Sequence, residues 1–143
     1  MMWAIRGVAV VMLCAFHHAS KSQPSAITEF GEQSAMYVGS CLGLEYLKKR
    51  HCPSVSAIDY KSCIKSAEEL LPQRMRSEFR QAMALNDSEM HGTISPAIDK
   101  GYANSVSLLN GDKAAACSNY ATSMNTVVYL KIEELKRIAG RIK

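Results

Sequence analysis

Cysteines are the residues of this sequence whose type and spacing first suggest chemistry. Cys41, Cys52 and Cys63 recur at eleven-residue steps, and Cys117 lies far downstream. No CxxC pair occurs, whereas zinc sites commonly grip the metal with two closely spaced thiolates. His51, beside Cys52, is placed to join Cys41 or Cys63 at a metal, but in an oxidising compartment thiols pair with each other instead. An even set of four in a short exported chain is read as two disulfides. Catalytic sets are harder to find. Beyond residue 20 the histidines are His51 and His91, never spaced to put two imidazoles on one helix face. Glu68-Glu69 and Glu133-Glu134 are adjacent carboxylates; on a helix they point about 100° apart and cannot share a proton. Glu133 and Arg137 form an i,i+4 pair of favourable orientation, a surface feature. Neither a GxSxG elbow nor a phosphate-cradling glycine loop is present. The expectation is a protein that is not an enzyme, with no cofactor and no metal.

Compartment follows from the N-terminus. Residues 1–6 are short and basic, residues 7–16 form an unbroken apolar run, and small residues follow at Ala19, Ser20 and Ser22. That is the pattern of a cleavable signal peptide over residues 1–20. The run is too short to span a bilayer, which takes roughly 20 apolar residues. A lipid anchor on Cys14 would want a small residue before it, and Leu13 is not small. Residues 21–24 read as a linker and 25–143 as one domain. Without residues 1–20 the chain loses Arg6, Cys14 and Trp3 but no acid, so the net charge falls from +4 to +3. This excess is too slight and too scattered for a nucleic-acid binder, which concentrates Lys and Arg in a stripe. The dense runs Lys48-Lys49-Arg50 and 136–143 fall at expected helix C-termini, where cations complement the helix dipole.

The elements that must position these residues are helical throughout. Ser25 caps a helix to about Arg50, with Ile27, Phe30, Tyr37, Cys41 and Leu44 on a three-four spacing and Ser34 in its gap. Gly31, Gly39 and Gly43 within it suggest close approach of a neighbouring helix or a break. His51 to Ser54 is a turn, because the residue before Pro53 leaves the helical region. Ser56 caps a second helix carrying Tyr60, Cys63, Ile64, Ala67, Leu70 and Leu71. Pro72 either starts a new helix or kinks this one, and Met75, Phe79 and Met83 extend the stripe to about Leu85. A polar loop is expected at residues 86–95, with Ser95-Pro96 starting a shorter helix through Ile98, Tyr102, Val106 and Leu109. Asn110-Gly111 ends it. Asp112 caps the last helix, which carries Cys117, Ala121, Met124, Val128, Ile132, Leu135 and Ile138 and which Gly140 terminates.

The fold class expected is all-α: a disulfide-stapled bundle of four long helices, up-down-up-down, kinked at Pro72. In that arrangement Cys41 pairs with Cys63 and Cys52 with Cys117. If Pro72 instead reverses the chain, Cys52–Cys63 with Cys41–Cys117 becomes the alternative. A loop on a stapled scaffold is a natural place for recognition, and Met90 is an apolar residue in a segment with no periodic reason for one. Asp87, Glu89, Met90 and His91 are therefore the candidate partner contacts. Asn86-Asp87-Ser88 also fits the N-glycosylation pattern, which matters in a eukaryotic source. The functional expectation is an exported, secreted or periplasmic module that binds another protein, as an inhibitor or immunity-type protein. The alternative is a carrier enclosing a small apolar ligand among Met75, Phe79, Met83, Tyr102, Met124 and Val128. In plan the layout resembles small protein inhibitors, among them periplasmic immunity proteins of type VI secretion systems and plant invertase-type inhibitors. No motif residue carries over, and the cysteine spacing departs from the plant inhibitors' closely spaced first pair.

Overall fold

The computed structural model describes residues 25–143, with the side chains of residues 85–91 excepted. The expected leader and linker lie outside the described residues. Among the described residues the chain is all-helical, has no strand, and carries two disulfides. Five helical segments succeed one another: α1 (Ala26–Arg50), α2 (Tyr60–Leu70), a 3-10 turn (Gln73–Met75), α3 (Arg76–Leu108) and α4 (Lys113–Arg141). The expectation of four long helices kinked at Pro72 is corrected, since α2 has only 11 residues and Pro72 divides two segments. Leu71 is extended (φ −84°, ψ 146°), as the ring of a following proline demands, and its side chain is buried.

Capping residues set most boundaries. Ser25 accepts from the Thr28 N–H at 3.2 Å and Asp112 from the Ala115 N–H at 3.1 Å. Asp59, and not Ser56, caps α2 by accepting from the Ser62 N–H at 2.9 Å. Helix α3 ends where Asn110 (φ 55°) and Gly111 (φ 83°) enter the left-handed region, and the Gly111 N–H returns to the Val106 carbonyl at 2.8 Å. Gly140 does not end α4, which runs on to Arg141. The largest correction concerns residues 86–95. They are helical, and α3 passes through them and through Pro96 as one helix of 33 residues, about 50 Å at 1.5 Å per residue. Pro96 cannot donate to the Gly92 carbonyl. Gly92 is exposed, so water can serve that carbonyl and the missing bond costs less than in the core.

Contacts between helices give their directions. Against α1, α3 places Phe79 by Tyr37 (ring centroids 6.1 Å apart), Ile94 and Ile98 by Gly43, and Asp99 by Tyr46. The two helices therefore run the same way. Helix α4 runs back, from Cys117 by Cys52, through Met124 by Gly43 and Lys131 by Gln33, to Arg141 by Glu29. Helix α2 also runs back, from Cys63 at Cys41 towards Arg74, which donates to the Ala139 carbonyl at 3.1 Å. The larger core cluster gathers Phe30, Tyr37, Cys41, Cys63, Leu71, Phe79, Leu135 and Ile138. A smaller one, of Leu47, Cys52, Ile98, Cys117 and Ala121, sits at the other end. A Cβ on Gly43 would lie 3.0 Å from Met124 Cε and 3.1 Å from Ile98 Cδ1, so this glycine is where α3 and α4 come close to α1; Gly31 has nothing within 4 Å. On the surface, Arg137 pairs with Glu134 rather than Glu133, which meets Lys136 at 3.3 Å.

Candidate functional site

The end of the molecule built on the smaller cluster brings together the groups with chemical potential. Helix α1 closes there on a tight turn: the N–H groups of His51 and Cys52 both donate to the Leu47 carbonyl at 2.9 Å, and Val55 N–H donates to the Cys52 carbonyl at 3.2 Å. The turn points His51 at α3, where its Nε2 lies 2.6 Å from Asp99 Oδ1. Tyr46, one turn earlier in α1, donates its hydroxyl to the same carboxylate at 2.9 and 3.1 Å. The His51 ring stacks on Tyr102 with centroids 4.3 Å apart and 18° between planes, and Tyr46 meets it edge-on at 6.2 Å. Hydrogen bonds from His51 first and Tyr46 second hold the Asp99 carboxyl below the usual carboxylate range. Donation to Asp99 in turn raises the Tyr46 hydroxyl above the ordinary phenol value. Facing a carboxylate, Nε2 is the nitrogen that carries the proton, which leaves Nδ1 as an acceptor when the ring is neutral.

On the other side of this turn lies a groove of about 600 Å³. One wall is the chain from His51 to Ser56. The other is the first turns of α4, which present Lys113, Ala114, Cys117, Ser118, Ala121, Thr122 and Asn125. The Cys52–Cys117 disulfide joins the two walls. Pro53, Val55 and the alanines supply apolar surface, the hydroxyls and Asn125 supply hydrogen-bonding groups, and Lys113 is the one lining residue with a fixed charge among the described residues. The bridge closes a separation of 65 residues and Cys41–Cys63 one of 22; chain entropy makes these worth roughly 4 and 3 kcal/mol. The walls are thus held in register by a covalent link beside the smaller core cluster.

The structure treats the residues singled out in the sequence unevenly. The four cysteines form Cys41–Cys63 and Cys52–Cys117, the first of the two alternatives. Asp87, Glu89, Met90 and His91 lie within α3 and not in a loop; their side chains are outside the described residues. The six residues of the carrier alternative divide between clusters. Met75, Phe79, Met83 and Val128 pack in the larger one and Tyr102 and Met124 in the smaller; Met75 and Phe79 are buried against protein. Among the described residues no group of three or more His, Cys, Asp and Glu side chains is arranged to hold a metal ion. His51, Asp99, Tyr46 and Tyr102 carry no mark in the sequence that would group them. Asp99 and Tyr102 share a helix face at i,i+3, but nothing local marks a partner 48 residues away. No protein-family model matches this chain, and no curated protein or solved structure matches it.

Proposed function

We propose that the protein is an exported, disulfide-stapled helical module that binds another protein and is not an enzyme. Its contact surface is the groove between residues 51–56 and the start of α4, and an inhibitor or immunity-type role is the form such binding takes. The observation that carries this reading is the groove itself: an open channel of mixed lining whose two walls are covalently joined. A preorganised surface lowers the ordering cost of association. The occupant is an extended segment of the partner that places an acidic side chain opposite Lys113, the only fixed charge in the lining among the described residues. Two disulfides fit an oxidising compartment, and among the described residues no helix is long and apolar enough to cross a membrane.

The test compares the tagged mature protein with its Lys113→Glu and Ser118→Trp variants in affinity capture from the secreted or envelope fraction. Both positions are exposed, so melting temperature and disulfide pairing should not change. The reading predicts a stoichiometric protein retained by the parent and lost from both variants. Equal retention by all three would move the contact surface elsewhere. A bare protein whose solvent extract holds a stoichiometric apolar compound would replace the reading with the carrier alternative.

A further inference from the structure

The two disulfides differ in what lies over them. Cys41 and Cys63 are both 0% exposed, within the larger core cluster. The Tyr37 hydroxyl covers that bridge, donating to the Cys63 carbonyl at 2.6 Å and lying 3.6 Å from its sulfur. Cys52 and Cys117 instead form part of the groove wall; Cys52 is 2% exposed, whereas Cys117, whose sulfur lies 3.5 Å from the His51 carbonyl oxygen, keeps 9% of its surface exposed and is the end of the bridge that a reagent in the groove meets. Exchange requires a thiolate to reach one sulfur of a disulfide. A sealed bridge meets that demand only when the core opens, whereas a groove-lining one meets it in the folded state. Lys113 lies four residues before Cys117 on α4 and lines the same groove, where its charge favours an incoming thiolate over a thiol.

We infer that Cys52–Cys117 is a thiol-exchange site, reached through the groove by small dithiols, and that Cys41–Cys63 is inert in the folded protein. In the reaction one thiolate of the dithiol attacks a sulfur of the bridge, forming a mixed disulfide and releasing the other cysteine as a thiolate. The second thiol of the reagent, as its thiolate, then attacks the reagent's sulfur in the mixed disulfide. The reagent leaves as a cyclic disulfide, oxidised by two electrons, and Cys52 and Cys117 take up protons as free thiols. After reduction the 51–55 turn stays tied to α3 through His51 and Asp99 but has lost its covalent tie to α4, so the two walls can part. The inference bears on regulation of the groove proposed above as a binding site, but its test needs no partner.

The folded protein is treated with dithiothreitol for increasing times, quenched with acid, alkylated, and mapped by peptide mass spectrometry. Cys52 and Cys117 should label on the order of tenfold faster than Cys41 and Cys63, with the helical circular dichroism retained while they do. Ser118→Trp or Thr122→Trp, each placing a large ring on the groove wall, should slow that faster phase and leave the slower one unchanged. Labelling of all four cysteines at one rate, or of Cys41 and Cys63 first, would overturn the inference. So would a fast phase that both groove-filling variants leave untouched. Exchange without a captured partner would sink only the binding proposal; a captured partner without selective exchange would sink only this one.

Discussion

Ser34 offers a test in which the sign of the effect follows from the structure. It occupies the gap in the apolar stripe of α1, is 0% exposed, and its hydroxyl has no hydrogen-bond partner among the described residues. Burying a hydroxyl without a partner costs about 1–2 kcal/mol on scales taken from protein mutants. Replacing Ser34 with Ala removes that cost and gains up to about 0.5 kcal/mol of helix propensity. Against this stands the void left by one oxygen, about 0.5–1 kcal/mol by analogy with lost methylenes. The net expectation is a stabilisation of about 1 kcal/mol. For roughly 120 described residues the unfolding entropy is near 250 cal/mol/K, so the melting temperature should rise by about 4 °C. The assay is thermal and urea unfolding with both disulfides intact. Ser40→Ala serves as the control, because the Ser40 hydroxyl donates to the Met36 carbonyl at 2.9 Å and lies near the surface; its change should stay within about 0.5 kcal/mol. A loss of about 1 kcal/mol or more in Ser34→Ala would refute the argument, since it would mean that the hydroxyl has a partner worth keeping.

Burial pushes the Tyr37 phenol up to about 12, above its ordinary value, so the stability this raises is fully present below pH 10 and is lost between about 10 and 12. Ultraviolet titration should show Tyr37 ionising last, and in Tyr37→Phe that alkaline loss of stability should disappear. Asp99 has the opposite sign: its lowered pKa stabilises the fold above the ordinary carboxylate value and less so as pH falls through the lowered one. NMR titration of its carboxyl should find it moved back towards ordinary values by His51→Ala, and by a smaller amount in Tyr46→Phe. An equal or larger move in Tyr46→Phe would reverse the assigned causes. Glycines in α1 should separate propensity from packing. Gly31→Ala, with open space around it, should gain about 0.5–1 kcal/mol, whereas Gly43→Leu, pressed on Met124 and Ile98, should lose about 1–3 kcal/mol in urea unfolding.

Much of the fold is legible in local signals because caps and stripes act locally. Ser25, Asp112 and Asn110-Gly111 each mark the boundary they make, and the α4 stripe faces the core along most of its length. The two prolines carry the errors. Local signals allow a kink at Pro72 and put the reversal in the polar residues 86–95; in the structure the chain reverses at Leu71-Pro72 and runs helical through Pro96. Apolar periodicity reports burial and not backbone conformation. A helix with buried Phe79 and Ala82 before residues 86–95 and buried Ile98 after them can stay helical between them with no apolar stripe there. The disulfide pairing survived because two reversals still separate Cys63 from Cys117, with one of them moved. Cys117 therefore returns to the Cys52 end by a different route than expected. The groove and the His51–Asp99 pair were out of reach, since both depend on segments far apart in sequence meeting at one end.

The most direct test of the binding account is hydrogen exchange of the protein with and without its captured partner, read by mass spectrometry. The account predicts new protection in residues 51–56 and in the first three turns of α4, with none on α3 between Asn86 and Ser95. Protection confined to that stretch of α3, around Asp87, Glu89, Met90 and His91, would contradict the groove and return the contact surface to the residues that the sequence alone singles out.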